Sequence, residues 1–268
     1  MSAALPGLDA LLAAPRLADI LTGRRAGILV LDYDGTLAPF MPQRSEARPY
    51  AGVVDCLRAL PARGAGRFVI VTGRPAGDIP PFLAPAVPSE IWGCHGAERL
   101  RPGELARIPG LSPALGAALD QAEAIAGQYV PCGALERKPV SLAVHWRGQG
   151  ASEVTAVRET VVPAWEALAA NAGLDVLPFD GGLELRLPGL TKRLAVEALH
   201  REAPQTSLVY CGDDLTDEDA LTALGPPDVG VLVRGEPRPS AAGFHIRPPQ
   251  ELVQLLSVWA EAHRRVSA

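Results

Sequence analysis

Two short, unbroken apolar runs, each stopping abruptly at a polar turn, restrict the folds open to this chain more than anything else in it. Gly27-Ile28-Leu29-Val30-Leu31 leads straight into Asp32-Tyr33-Asp34-Gly35-Thr36, and Phe68-Val69-Ile70-Val71 leads into Thr72-Gly73-Arg74. A strand that is apolar on both sides needs cover on both faces, which is the situation of a strand inside a parallel sheet. Between the two runs, Val53, Val54, Leu57 and Leu60 recur at helical spacing. Strand, helix, strand is a parallel crossover unit. The alternation resumes late in the chain: residues 192–202 suit a helix, 207–211 a buried strand, 215–224 a helix, 229–233 a strand and 251–264 a closing amphipathic helix. Near the start, residues 8–21 carry leucines at helical spacing that Pro15 interrupts.

The middle of the chain follows another rule. Residues 112–126 and 152–171 suit helices, whereas Ser141–Arg147 and Leu183–Leu187 alternate apolar with polar. Clean alternation predicts strands with one solvated face, as in an open antiparallel sheet. The expected architecture is therefore an α/β core with a Rossmann-like parallel sheet, built from residues 1–107 and 184–268. An inserted α+β domain fills residues 108–183.

Composition narrows the function. With 268 residues, 48% of them hydrophobic, the chain can bury one large core or two modest ones. A net charge of −5 argues against nucleic acid or an anionic membrane as partner. Any site that handles an anion must then recruit positive charge locally. The four cysteines show no C-x-x-C pairing, which argues against a zinc site and a disulfide framework and suits a reducing compartment. No signal peptide is expected, because Asp9, Arg16 and Asp19 break up the N-terminal apolar stretch. No run of about 18 apolar residues marks a membrane span. The expectation is a soluble cytoplasmic protein acting as a monomer.

Chemistry concentrates at the strand ends. In open α/β sheets, ligands sit beyond the carboxyl ends of the strands. Asp32 and Asp34 would stand there together, a crowding that is costly unless a cation or proton offsets it. A second acidic end follows the strand at 207–211: Gly212-Asp213-Asp214-Leu215-Thr216-Asp217-Glu218-Asp219 holds five acids within seven positions. Oxygen ligands of this kind suit a hard ion such as magnesium, particularly where phosphate oxygens complete the shell. The plainer reading is that Thr216 or Asp217 caps a helix, with Glu218 and Asp219 in its first turn. The Thr72 hydroxyl and the backbone beside it, with Gly73 and Arg74 following, could hold a phosphate oxygen. Lys192 opens a helix and could neutralise the acids.

Taken in order, Asp32-x-Asp34-Gly35-Thr36, Thr72, Lys192 and Gly212-Asp213-Asp214-x-x-Asp217 resemble the four motifs of the haloacid dehalogenase superfamily of phosphohydrolases. The resemblance spans the whole α/β core, and the insert is similar to that superfamily's type-2 cap. It implies that Asp32 is the nucleophile and Asp34 the general acid and base. It also implies that Mg2+ is held by Asp32, the Asp34 backbone carbonyl and Asp213, with Asp217 in support, and that Lys192 counters charge on the phosphoryl group.

Further patterns resemble the trehalose-6-phosphate phosphatases of that superfamily. These are Gly93-x-His95-Gly96-x-Glu98, Glu136-x-Lys138, His145-Trp146-Arg147, and Glu184 ahead of the lysine. The resemblance implies a small-molecule sugar phosphate as substrate, with His95, Gly96, Glu98, Glu136, Lys138, Arg147 and Glu184 among the residues that bind it. Carboxylates beside Lys or Arg offer matched acceptors and donors to sugar hydroxyls. Read by themselves, Glu136 and Lys138 could equally be an exposed salt-bridged edge, His145 and Arg147 a wet sheet face, and His95 a hydrogen-bonded turn residue. One position departs from the family pattern. Where the family usually has Asp-Lys-Gly, this chain reads Thr191-Lys192-Arg193. Alternatives are a phosphatase of the same type acting on a glycosyl-phosphoglycerate or hexose phosphate, a phosphomutase, and a sugar-phosphate sensor without catalysis.

Overall fold

A computed structural model describes residues 4–41, 44–107, 113–146, 148–179 and 181–266. The chain divides into two compact units, residues 1–106 with 191–268, and residues 107–190. The first is built on an eight-stranded sheet. Its strands are β1 (Gly27–Leu31), β2 (Phe68–Val71), β3 (Glu90–Gly93), β4 (Glu98–Arg101) and β5 (Glu104–Arg107), then β10 (Ser207–Gly212), β11 (Val229–Val233) and β12 (Phe244–Ile246). In space they run β12-β11-β10-β1-β2-β3-β4-β5. From β12 to β3 every pairing is parallel, and β4 turns back antiparallel to β3.

The expected burial on both faces is realised within β1 itself. Leu29 and Leu31 belong to one core, shared with Leu11, Leu17, Val53, Leu57, Leu255 and Trp259. Ile28 and Val30 belong to the other, shared with Ala195, Val196, Leu199 and Leu221. Helices 8–21, 53–58 and 250–266 therefore cover one face, and helices 193–202 and 218–223 the other. Each fully buried aliphatic side chain contributes about 1.5–3 kcal/mol, so the apolar strand is stable only inside this sandwich. Pro15 does what its ring dictates: Leu8–Ala13 ends, and a new helix starts with Pro15 at its first position.

The second unit holds a four-stranded antiparallel sheet, β6 (Leu135–Lys138), β7 (Ser141–His145), β8 (Asp175–Phe179) and β9 (Gly182–Arg186), in the order β6-β7-β9-β8. Leu142, Val144, Leu183 and Leu185 face helices 113–126 and 151–172 through Leu119 and Trp165. Two expectations need correction. The second boundary falls at Leu190/Thr191, not at 183/184, because β9 pairs on both sides within this sheet. The polar face of the alternating strands is also not simply solvated. Glu184 is buried at 2% exposure and Ser141 at 3%, and both join a hydrogen-bonded cluster described below.

Candidate active site

Register brings the acidic strand ends together. Leu31 of β1 lies opposite Cys211 of β10, so Asp32 and Asp213 leave the sheet side by side. The Asp32 amide still donates to the Cys211 carbonyl at 2.9 Å, which fixes its backbone. Gly35 turns the chain at φ +89°, and a Cβ on it would collide with the Asp213 carboxylate. The tight turn thus has a chemical reason: the Asp213 side chain occupies the space beside it.

Asp32 is buried, and its Oδ1 accepts from Lys192 Nζ at 2.7 Å. Thr36 Oγ1 donates to Asp32 Oδ2 at 3.2 Å and also lies 3.4 Å from Asp213 Oδ1. Lys192 Nζ also donates to Asp217 Oδ1 at 2.7 Å. Asp217 is saturated with donors. Tyr210 Oη donates to its Oδ1 at 2.6 Å, and the amides of Asp213 and Asp214 donate to Oδ2 at 3.1 and 3.0 Å.

Electrostatics follow from this arrangement. Burial raises the Asp32 pKa to about 7, with Lys192 pulling it down and Asp217 pushing it up. Burial likewise lifts the Asp213 carboxyl well above the usual range, reinforced by Asp32 and Asp217. For Lys192 burial acts in the opposite direction, but Asp217 and Asp32 outweigh it and raise its pKa, so the ammonium stays charged. Asp32, Asp213 and Asp217 each present an oxygen within 4.8 Å of the others. Lys192 pairs with Asp32 and Asp217, and among the described residues Asp213 has only the cation of Arg234, Nη1 at 3.9 Å. Three buried carboxylates thus face two cations, an imbalance that a hard divalent cation would relieve. The donor set fits magnesium.

Asp34 points elsewhere. Arg74 grips it with both prongs, Nε to Oδ2 at 2.7 Å and Nη2 to Oδ1 at 2.5 Å. The guanidinium is 5.0 Å from the Tyr33 ring centre and 5.2 Å from that of Phe82. Arg74, expected to bind substrate, thus binds Asp34 in this structure. Thr72 is fully buried at the end of β2, where its Oγ1 accepts from the Arg74 amide at 3.1 Å.

The His95 segment braces this loop. Cys94 and His95 both take positive φ, 48° and 54°, a strained pair for non-glycine residues. The His95 amide donates to the Thr72 carbonyl at 3.1 Å, and its ring lies against Gly73. Gly96 packs against the Thr191 carbonyl and Leu194, and Glu98 Oε2 accepts from the Ala76 amide at 2.8 Å.

In the second unit, register aligns Glu136, Ala143 and Glu184 across three strands. Lys138 Nζ donates to Glu184 Oε1 at 2.8 Å and lies 3.8 Å from Glu136 Oε2. Ser141 Oγ donates to Glu184 Oε1 at 2.7 Å, and His145 Nε2 is 3.0 Å from Glu136 Oε2. Arg147 lies outside the described residues.

The helix-capping expectation holds at Asp217, the N-cap of helix Glu218–Ala223 with Glu218 and Asp219 in its first turn. Asp214 caps the short 3-10 turn Leu215–Asp217 just before it and forms a capping box with Asp217. Glu218 serves a different partner, accepting from Arg238 Nη1, Ser240 Oγ and the Ala241 amide. Arg238 also donates to the carbonyls of Asp213 and Asp214, tying down the acidic loop. The departure at 191–193 leaves the lysine in place: Arg193 turns outward, 42% exposed and 3.6 Å from Glu197. Sequence reasoning missed Thr36, Tyr210 and Arg238. For Tyr210 a signal existed, since a tyrosine in a doubly buried strand must find a partner for its hydroxyl.

A parallel sheet with buried acids at two adjacent strand ends and a lysine bridging them defines a haloacid dehalogenase-like protein. A haloacid dehalogenase-like hydrolase from Bacteroides thetaiotaomicron shares the fold at TM-score 0.63 and 16% identity, covering 90% of this chain and 100% of that one. Within that class, residues 30–244 match the family described as trehalose-phosphatase, and the chain belongs to that family. The trehalose-phosphate phosphatase of Mycobacterium avium is 32% identical over 267 residues, 92% of this chain and 65% of that protein. A Mycobacterium tuberculosis protein described as an uncharacterized glycosyl hydrolase is 32% identical over 273 residues, 93% of this chain and 19% of its own length. A crystal structure of a trehalose-6-phosphate phosphatase related protein aligns at TM-score 0.70 and 27% identity, covering 89% of this chain and 99% of that one. The chain spans less than two thirds of the length of these curated relatives.

Proposed function

We propose that this protein is a magnesium-dependent phosphatase that converts trehalose-6-phosphate to trehalose and inorganic phosphate. The observation that carries the reading is the Lys192 ammonium held 2.7 Å from Asp32 within a cluster of buried carboxylates. Asp32 is the nucleophile. One of its oxygens bonds to phosphorus as the bond from phosphorus to the sugar oxygen breaks, leaving an aspartyl-phosphate. Dividing one hard displacement into two easier ones lowers the barrier. Asp34 gives a proton to the departing sugar oxygen and then takes one from the water that releases phosphate from Asp32. For either transfer, at least one bond of the Arg74 fork to Asp34 must open.

Magnesium would be held by Asp32, Asp213 and the Asp34 backbone carbonyl, with Asp217 in support, and when bound supplies Lewis-acid polarisation of the phosphoryl oxygens. Lys192 adds a fixed, always charged donor for the transferring phosphoryl group. Thr72 and Gly73 take up a phosphate oxygen, and His95, Gly96 and Glu98 hold their loop in place. Glu136, Lys138, Arg147 and Glu184 recognise hydroxyls of the disaccharide, acting from a unit that serves as the cap. This reading places the enzyme in the cytoplasm as a monomer. Cys56, Cys94 and Cys211 are free thiols, as a reducing compartment favours. No helix among the described residues is long and apolar enough to cross a membrane.

The test is phosphate release from trehalose-6-phosphate, glucose-6-phosphate and a glucosyl-phosphoglycerate, each with magnesium and with chelator. The reading expects magnesium-dependent release with a clear preference for the disaccharide ester. Preference for another ester overturns the substrate while sparing the mechanism, and no release from any of them overturns both.

A further inference from the structure

Among the buried polar groups that the chemistry above does not use, the Tyr210 hydroxyl touches the catalytic cluster directly. Tyr210 sits inside β10, where the same face carries Leu208 and where a phenylalanine would meet every packing need. Burying a hydroxyl in such a place is costly unless it is hydrogen-bonded. Its partner is Asp217 Oδ1, at 2.6 Å, the same oxygen that receives Lys192 Nζ at 2.7 Å.

We propose that Tyr210 is a positioning residue of the phosphatase reaction: its hydroxyl fixes the Asp217 carboxylate, which holds Lys192 against Asp32. The proposal rests on the function assigned above and goes one step deeper. Asp217 Oδ2 is anchored by the amides of Asp213 and Asp214, which fix where the carboxylate stands. Those two bonds leave the carboxylate plane free to turn about that end. Tyr210 closes this freedom by approaching Oδ1 from the strand, while Lys192 approaches from the start of its helix. With the hydroxyl gone, Oδ1 and the ammonium can move together, and Nζ is no longer held at one point beside Asp32. The reacting atoms still meet, but the cation that should match the developing phosphoryl charge is less well placed, and such preorganised charge matters most in the transition state.

The experiment compares wild type with Tyr210→Phe on two substrates, trehalose-6-phosphate and p-nitrophenyl phosphate, at saturating magnesium. The variant removes one oxygen. The expected result is a fall in kcat of about tenfold to a hundredfold on both substrates, the scale of one hydrogen bond to a charged group. KM for trehalose-6-phosphate stays within about twofold, because the lost interaction is made in the transition state. In an Asp217→Asn background the same change should cost nothing more, since groups acting through one another are not additive. A folded Phe variant with wild-type kcat overturns the proposal. So does a loss that simply multiplies onto that of Asp217→Asn, because Tyr210 would then act by another route. Should the Phe variant not fold, Tyr210→Met fills the site with a more adaptable side chain, and wild-type kcat there overturns the proposal equally. A wild type active on p-nitrophenyl phosphate but not on trehalose-6-phosphate refutes the substrate and leaves the Tyr210 test standing. A wild type inactive on both refutes the function and this inference together.

Discussion

Replacing Lys192 by methionine keeps the unbranched apolar stem and removes the ammonium that two buried carboxylates share. Its Nζ lies 2.7 Å from both Asp32 and Asp217, and all three side chains are less than 5% exposed. Taking away one partner of a buried ion pair costs about 3–5 kcal/mol, because the remaining charge keeps its desolvation penalty without compensation. In a chain of this size each kcal/mol moves the unfolding midpoint by about 2–4 °C, so a drop of about 6–20 °C is expected. Magnesium should recover part of it by standing in as counter-charge. Catalysis loses separately: removing one preorganised donor from a developing oxyanion costs about 10²–10³ in kcat. The two effects are resolved by scanning calorimetry with and without magnesium, and by phosphate release measured well below the variant's midpoint. A folded Lys192→Met protein that retains kcat within about tenfold of wild type would refute the argument that this cation serves the transition state.

Other outcomes follow from the same geometry. Gly35→Ala forces a side chain onto the Asp213 carboxylate at a left-handed position, and calorimetric titration should show magnesium affinity falling while circular dichroism stays native. Without metal, Asp32 carries a pKa raised from 3.8 to about 7. A carboxyl whose pKa rises on folding favours the folded state while it is protonated in both states, and that advantage disappears once the folded form also ionises. Its contribution to stability is therefore complete below about pH 4 and lost as pH rises through about 7, at about 1.4 kcal/mol for each pH unit crossed. Denaturant midpoints of chelated protein should fall over that window, and magnesium should flatten the fall. Glu136→Gln should raise KM for trehalose-6-phosphate by about tenfold, the scale of one charge-assisted hydrogen bond. Turnover of p-nitrophenyl phosphate, which has no sugar, should not change.

What the sequence made legible was whatever packing dictates locally. The runs 27–31, 68–71 and 207–211 are apolar on both faces, and only the middle of a covered sheet can accommodate them, so the core and its acidic mouth followed. Strands rich in charge escaped. Glu98–Arg101 alternates too weakly to read, because Arg99 and Arg101 are stabilised by pairing with Glu90 on the neighbouring strand and with Glu202, which lies far off in sequence. Asp175–Phe179 contains Pro178, which speaks against a strand until its place at the sheet edge is known. The domain boundary was misplaced for a related reason. Alternation in Leu183–Leu187 identifies a strand, but not the sheet it joins. Arg74 shows the same limit at the site: a Thr-Gly-Arg turn suggests anion binding, whereas its bidentate grip on Asp34 depends on the packing of two strand ends. Asp217 as helix cap was legible, whereas Asp214 as cap of the short 3-10 turn before it was hidden among equally acidic neighbours that only backbone geometry separates.

The central claim is that Asp32 carries the phosphate during turnover. Acid quenching during magnesium-supported hydrolysis of trehalose-6-phosphate, followed by peptide mass spectrometry, addresses it directly. The account predicts phosphate on the peptide containing Asp32, absent when magnesium is chelated or when Asp32→Asn is used. Phosphate on any other residue, or turnover by the Asn variant at the wild-type rate, would contradict it.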